Sequence, residues 1–161
     1  VGASASVGAQ ATTKTEEPMN KYVLCDPNSW VAIRGSASRG SHLEGRAYCG
    51  DQVPVIKTSG EFSYCEPLYI ELGCGWLGTC YLVDSEVFYS TIGVAGTIQS
   101  NGKVNVRRTP NGKVKRKIKN GTTLTVYAYS AEWCYTDLGY IMSEYVQLTE
   151  DAAWDNMKEV P

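Results

Sequence analysis

The chain has 161 residues, enough for one medium domain or two small ones, and 43% of them are hydrophobic, which excludes wholesale disorder. A net charge of −2 and a pI of about 5.5 argue against a nucleic-acid binder. No apolar run approaches the roughly 18 residues needed to cross a bilayer, so the chain as given is expected not to span a membrane.

Residues 1–20, "VGASASVGAQATTKTEEPMN", are small and polar and predict a flexible N-terminal segment. Ala9–Ala11, "AQA", is similar to the small-residue end of a secretory signal, although the basic and apolar regions of one are missing and a plain linker reads equally well. Six cysteines without a Cys-x-x-Cys pair favour an oxidising compartment over a zinc site. The expected location is therefore secreted or in the cell envelope.

From residue 21 onward the chain repeats itself. "VAIRGSASRG" (31–40) and "VNVRRTPNG" (104–112) share a Val-x-hydrophobic-Arg step into turn-forming residues. Setting Arg34 against Arg107 pairs Gly50 with Gly121, Val53 with Leu124 and Val55 with Val126. Further along, with small length differences between the units, Phe62 matches Trp133, Gly75 matches Gly139, Trp76 matches Tyr140, Leu77 matches Ile141 and Tyr81 matches Tyr145. Four landmarks in one order make a tandem repeat. The predicted organisation is 21–83 and 96–148 as two units, 84–95 as a connector and 149–161 as an acidic tail. Phe88, Tyr89 and Ile92 make the connector too apolar for a free linker, so it is expected to pack between the units.

Each unit reads as short strands. In the second they fall at 103–108, 113–118, 122–129, 133–137 and 139–142, with a closing piece at 145–148. Leu124, Val126 and Ala128 alternate with Thr125, Tyr127 and Tyr129, and Asn111-Gly112 and Asn120-Gly121 supply positive φ for tight turns. A unit of this size has a marginal core, and closing its sheet into a barrel removes exposed edges. Pro54 inside an apparent strand suggests an edge or a bulge.

"VNVRRTPNGKVKRKIKNGTTLTV", "EWCY" and "GYIMSEYVQL" together resemble a bacterial SH3-like (SH3b) domain. The family pattern runs L-N-V-R-x-x-P, then a Gly-Thr or Gly-Asp opening a valine-rich strand, then G-W-x-x-V and G-W-V-x-x-x-Y-L. The first unit matches more loosely: "WVAIRGSAS" lacks the Pro, and "SYCEPLYIELGCGW" carries an inserted excursion. The resemblance implies an all-β chain of two small SH3-like β-barrels in tandem. It also implies a groove beside the Arg loop, while the bland alternative is that Arg34 and Arg107 anchor their turns through backbone carbonyls, which we favour.

Such units accompany wall peptidases, whose chemistry needs a nucleophile with a base or a set of metal ligands. The only histidine, His42, lies in a Gly/Ser-rich loop and is read as exposed. There is no Asp-Cys-Ser-Gly nucleophile turn, no Gly-x-Ser-x-Gly elbow and no phosphate loop. Zinc chemistry needs several ligands. Glu61, Glu66 and Glu71 would stay solvated in a hairpin, with nothing to raise one carboxyl as a general acid requires. The reading is a non-enzyme with no metal and no cofactor. Cys25, Cys49, Cys65, Cys74 and Cys80 fall in unit one and Cys134 alone in unit two. A disulfide between Cys65 and Cys74 would tie off the excursion, whereas Cys134 is expected to be buried as a small hydrophobe.

Two surfaces are candidate sites. Residues 96–148 carry +5 in an otherwise acidic chain, through Arg107, Arg108, Lys113, Lys115, Lys117 and Lys119 among others. A period of two places Val114 and Ile118 inward and the four lysines outward, either to attract an anionic ligand or to deter edge pairing. The groove candidates are the aromatics Trp30, Phe62, Tyr64 and Trp76 of unit one and Trp133, Tyr135 and Tyr140 of unit two. The tail is expected to form a short helix from Thr149, to dock Trp154 on a barrel and to mask the lysine row. The resemblance implies an exported binding protein for bacterial cell-wall peptidoglycan or its peptides. The alternatives are an adaptor holding an extended peptide of an envelope protein, or the targeting part of a wall hydrolase.

Overall fold

The computed structural model describes residues 18–66, 74–149 and 151–157. Most of the segment 1–20 and all of the excursion between Glu66 and Cys74 therefore lie outside the described residues. The chain is all-β. Its first half supplies β1 (Met19–Val23), β2 (Val31–Arg34), β3 (Leu43–Ala47), β4 (Gln52–Ser59), β5 (Phe62–Cys65), β6 (Gly75–Gly78) and β7 (Leu82–Val83). Its second half supplies β8 (Phe88–Ile98), β9 (Val104–Arg107), β10 (Val114–Ile118), β11 (Thr123–Tyr129), β12 (Trp133–Thr136), β13 (Tyr140–Met142) and β14 (Val146–Leu148). No helix among the described residues is long and apolar enough to cross a membrane.

Each half makes one seven-stranded antiparallel sheet, in the orders β3-β2-β6-β5-β4-β1-β7 and β10-β9-β13-β12-β11-β8-β14. The orders are identical once seven is added to each number, so the duplication read from the residues extends to the strand topology. Even the irregularities repeat. The ladder shifts register between Val55 and Lys57 and again between Val126 and Ala128. A 3-10 turn precedes the last strand in both, at Thr79–Tyr81 and Ser143–Tyr145. Both sheets are small and barrel-like, but among the described residues no strand pairing joins β3 to β7 or β10 to β14, so hydrogen bonds do not close either ring.

The strands of the second half match their predicted positions to within about two residues. The long β8 does not, because it begins inside the segment read as a connector. Its residues Phe88 and Tyr89 pair with β11, as do Val94–Thr97, and the stretch between breaks the ladder. Gly93 there has φ +90, and a Cβ would lie 2.2 Å from Thr125 Cγ2, so only glycine fits. Pro54 is also placed differently from expectation: β4 is a central strand between β5 and β1. Pro54 faces β5 just past that strand's end, where its carbonyl accepts Glu66 N–H at 3.1 Å, so its missing N–H breaks no ladder bond.

Two hydrophobic clusters hold the molecule together. Ile98, Val104, Val106, Leu124, Val126, Cys134, Ile141 and Val146 fill the second sheet. The first cluster, built on Val23, Leu24, Ile33, Val53, Leu77 and Val83, continues across the junction into Val87, Ala128, Trp133 and Tyr140. The two halves thus share a core. Burial of apolar area at ~25 cal/mol per Å² makes such a shared core the main force fixing their arrangement. Ser85 adds a polar tie, donating through its N–H and hydroxyl to Glu132 at 3.2 and 2.6 Å.

Candidate functional site

The repeated arginine does the same work in both units. Arg34 and Arg107 are the last residues of β2 and β9, and each pairs with an aromatic of the neighbouring strand, Trp76 of β6 and Tyr140 of β13 respectively. Arg34 Nη1 donates to Ser41 O at 2.9 Å, and Arg107 Nη1 donates to Gly112 O at 2.8 Å. Each thereby clamps the loop that follows it, which is the anchoring role favoured from the sequence. The clamp satisfies carbonyls that a Gly/Ser- or Asn-Gly-rich loop could not satisfy by itself.

The two clamped loops and the facing strands enclose a cleft of about 1090 Å³ between the sheets. Unit one contributes Trp30, Arg34, Arg39, Glu61, Phe62, Cys80 and Tyr81; unit two contributes Arg107, Arg108, Lys113, Lys115, Tyr135, Asp137 and Tyr140. Cys25 and Asp26 lie on its wall next to the junction. Six basic side chains therefore face three carboxylates, Asp26, Glu61 and Asp137, in a chain whose overall charge is negative. The loop arginines and lysines carry that excess. Trp30 is 41% exposed and is held by the Arg46 guanidinium 4.5 Å above its ring.

The aromatic candidates separate into three groups. Trp30, Phe62, Tyr135 and Tyr140 line the cleft, with the last two 4.9 Å apart between ring centroids. Tyr140 is mostly buried there, and desolvation pushes its hydroxyl well above the ordinary tyrosine range. Tyr64 and Trp76 make an edge-to-face pair at 5.2 Å elsewhere, under the Lys57 ammonium. Trp133 is a correction: it is only 5% exposed and belongs to the shared core, so it packs the junction and presents no groove surface. Equivalent positions have diverged because only unit two's aromatic face is covered by its neighbour. Lys57, above Tyr64 and Trp76, corresponds to the fully buried Ala128.

The lysine row also differs from its prediction. The ladder between β10 and β9 shifts register between Val114 and Arg116, which breaks the period of two. Val114 is 43% exposed and does not point inward; Ile118 does so only partly. Lys113 and Lys115 line the cleft, while Lys117 and Lys119 do not. β10 is moreover the edge strand of its sheet, where lysines discourage pairing with another chain.

The tail forms no helix over residues 151–157. It runs back along β8 instead. Asp155 accepts from the Thr91 N–H and hydroxyl at 2.8 and 2.9 Å, Asn156 Oδ1 accepts from Tyr89 N–H at 3.0 Å, and Trp154 stacks on Tyr129 at 6.2 Å. The described tail therefore docks Trp154 as expected, and its side-chain hydrogen bonds go to Val87, Tyr89 and Thr91 rather than to the lysine row.

All six cysteines are free thiols. A Cys65–Cys74 bridge is not formed, and the strand geometry says why. Cys65 pairs directly with Gly75, so Cys74, one residue back, projects to the other face. Cys65 is buried and Cys74 exposed accordingly. Burial raises the Cys65 thiol to about 11 and the Cys134 thiol to about 12. Cys134 is wholly buried, 3.4 Å from the Ser143 hydroxyl, where unit one has Ser63 at 2.7 Å from Thr79. His42 is exposed in its loop and pairs with Glu44 at 2.7 Å.

No family model and no curated protein matches the sequence. Among solved structures, NlpC2 from Trichomonas vaginalis is similar over 87% of this chain and 52% of its own, with a TM-score of 0.34 and 10% identity. NlpC1 from Trichomonas vaginalis is similar over 86% and 48%, with a TM-score of 0.34 and 9% identity. The chain thus spans about half the length of either.

Proposed function

We propose that the chain is a non-catalytic binding protein of the cell envelope, whose paired SH3-like (SH3b) units hold bacterial cell-wall peptide in the cleft between them. The observation that carries this reading is the cleft's composition. A basic loop wall (Arg107, Arg108, Lys113, Lys115) stands among aromatic side chains (Trp30, Phe62, Tyr135), inside an acidic chain. That combination suits an extended peptide with free carboxylates: ammonium and guanidinium groups attract the charges, and flat rings bury the aliphatic backbone. Wall identity comes from the sequence resemblance; the charge and shape come from the cleft.

The non-catalytic half rests on the nucleophiles and bases present. The sole histidine is paired with Glu44 in an exposed loop and does not line the cleft. The cleft thiols, Cys25 and Cys80, have no histidine beside them to act as a base, and both are raised, Cys25 by the neighbouring Cys49 and by burial, Cys80 by burial, which does not suit the nucleophile of a peptidase.

The test is retention on insoluble peptidoglycan, intact or stripped of its peptides. Retention by intact material alone, released by salt, is expected. No retention at low salt would remove the wall reading and leave an acidic segment of an envelope protein as the ligand. Release of soluble wall fragments by the chain would overturn the non-catalytic half.

A further inference from the structure

The junction of the two units contains a cysteine pair whose partner positions in the repeat are instructive. In unit one, Leu24 N–H donates to Tyr81 O, Gly50 N–H to Val23 O and Val23 N–H to Asp51 O, at 2.8, 2.9 and 3.0 Å. In unit two the equivalent bonds run from Gln99 to Tyr145, Gly121 to Ile98 and Ile98 to Thr122, at 2.9, 2.8 and 2.9 Å. This register sets Cys25 over Ser100 and Cys49 over Asn120. Ser100 N–H and Asn120 Oδ1 are hydrogen-bonded at 3.0 Å, so these two positions are neighbours in the fold. Unit two closes the end of its first strand with a polar pair in solvent. Unit one has two thiols there, 5% and 6% exposed, in the cluster that also holds Trp133 and Tyr140. Cys25 Sγ donates to the Asp26 carbonyl oxygen at 3.6 Å, and the neighbouring thiols perturb each other, Cys49 being lowered and Cys25 raised.

We infer that Cys25 and Cys49 are an oxidisable pair that closes to a buried cystine at the junction of the two units. The oxidant is a disulfide, small-molecule or protein. One thiol of the pair, as its thiolate, attacks one sulfur of the oxidant and expels the other as a thiolate. Its neighbour, giving up its proton, then attacks the protein sulfur of the mixed disulfide and expels the second thiol. Two S–H bonds become one S–S bond, and the oxidant's disulfide takes up two electrons and two protons as two thiols. Cys25 lines the cleft, which gives the oxidant its approach. The loop so closed contains β2, β3, Trp30 and the Arg34 clamp, so oxidation restrains one whole wall of the cleft. Cys65 and Cys74 point to opposite faces, and Cys134 sits where the repeat has Ser63.

The experiment equilibrates the full chain with glutathione disulfide or with dithiothreitol, then counts thiols in denaturant and maps peptides without reduction. The oxidised protein is expected to lose two of its six thiols, to yield one linked peptide pair joining Cys25 to Cys49, and to melt at higher temperature than the reduced protein. The double variant Cys25→Ser with Cys49→Asn copies the pair that unit two already folds with. It is expected to keep its remaining four thiols and to melt alike in both buffers. Six thiols persisting in the oxidised wild type, a link between other cysteines, or an equal oxidant response in the double variant would each overturn the inference.

Discussion

Arg107 clamps the loop it enters by donating from Nη1 to the carbonyl oxygen of Gly112 at 2.8 Å, and the side chain is only half-exposed. A charge-assisted bond in that setting contributes roughly 1.5–3 kcal/mol, discounted here toward its lower end for partial solvent screening. Arg107→Ala is therefore expected to destabilise the chain by about 1–2 kcal/mol in urea denaturation. Arg107→Lys should restore little, because a lysine ammonium lacks the fork that spans the turn. The same pair of substitutions at Arg34, bonded to Ser41 at 2.9 Å, should behave alike. An unchanged midpoint in Arg107→Ala would show the clamp to be decoration.

The glycines give a graded series. A Cβ on Gly139 would sit 2.7 Å from Val106 Cγ1 and 2.9 Å from Arg107 O, with φ at +142. On Gly75 it would sit 2.6 Å from both Arg34 O and Ile33 Cγ2. Both Gly→Ala changes push backbone against backbone beside the clamped arginine and are expected to destabilise by more than about 2 kcal/mol. Gly121 has φ +85 but open space around it, so Gly121→Ala should lose only about 1 kcal/mol. Gly102 has neither constraint, and its alanine variant should stay within about 0.5 kcal/mol of wild type. Thermal or urea unfolding of the four variants checks the order.

The duplication was legible because its landmarks are rigid requirements: glycines forced by close approach at 75 and 139, and an arginine needed to satisfy a loop. Positions with one permitted solution survive divergence of the rest. What escaped reading depends on partners far along the chain. β8 was hidden by a bulge that interrupts its alternation, and Val114 was misplaced by a register shift that no local pattern announces. The assignment of Trp133 to a groove failed for a similar reason. Phe62 and Trp133 are equivalent in the repeat, and only the docking of one unit on the other decides which is covered.

Trp154 stacks on Tyr129 and completes the second core, so the tail supports the fold. Trp154→Ala should lower stability by about 1–2 kcal/mol through lost apolar burial. Because no described tail residue lines the cleft, the same variant should leave affinity for anionic wall ligands unchanged when compared by titration well below its melting temperature. A gain in affinity would instead revive the masking role.

Two aspartates should give opposite pH dependences. Hydrogen bonds from the Thr91 N–H and hydroxyl hold Asp155 below the usual aspartate value. Its contribution is present above that usual value and is lost as pH falls through the lowered one. Burial raises Asp51 despite the Tyr48 N–H it accepts. The folded chain then binds this proton more tightly than the unfolded chain, so stability falls as pH rises from the usual aspartate value through the raised one. Asp155→Asn should flatten the acid side of the stability profile, and Asp51→Asn should remove a decline on the side toward neutrality. Urea midpoints across the acidic range, wild type against each variant, read both signs.

The basic residues divide into two sets that a single ligand titration can tell apart. Arg108 and Lys115 line the cleft, whereas Lys117 and Lys119 sit on the same edge strand or just beyond it without reaching the cleft. If attraction is local, reversing charge in the cleft (Arg108→Glu or Lys115→Glu) replaces an attraction with a repulsion at contact distance. Each is expected to weaken binding of solubilised wall peptide at least tenfold, on the order of 1.4 kcal/mol. Lys117→Glu and Lys119→Glu change the net charge equally but act from outside, where salt screens them beyond ~8–10 Å. They should alter affinity less than about threefold, and that difference should vanish first as salt is added. Equal losses from all four variants would mean that the whole edge acts as a diffuse cationic surface, and the cleft would cease to be the binding site.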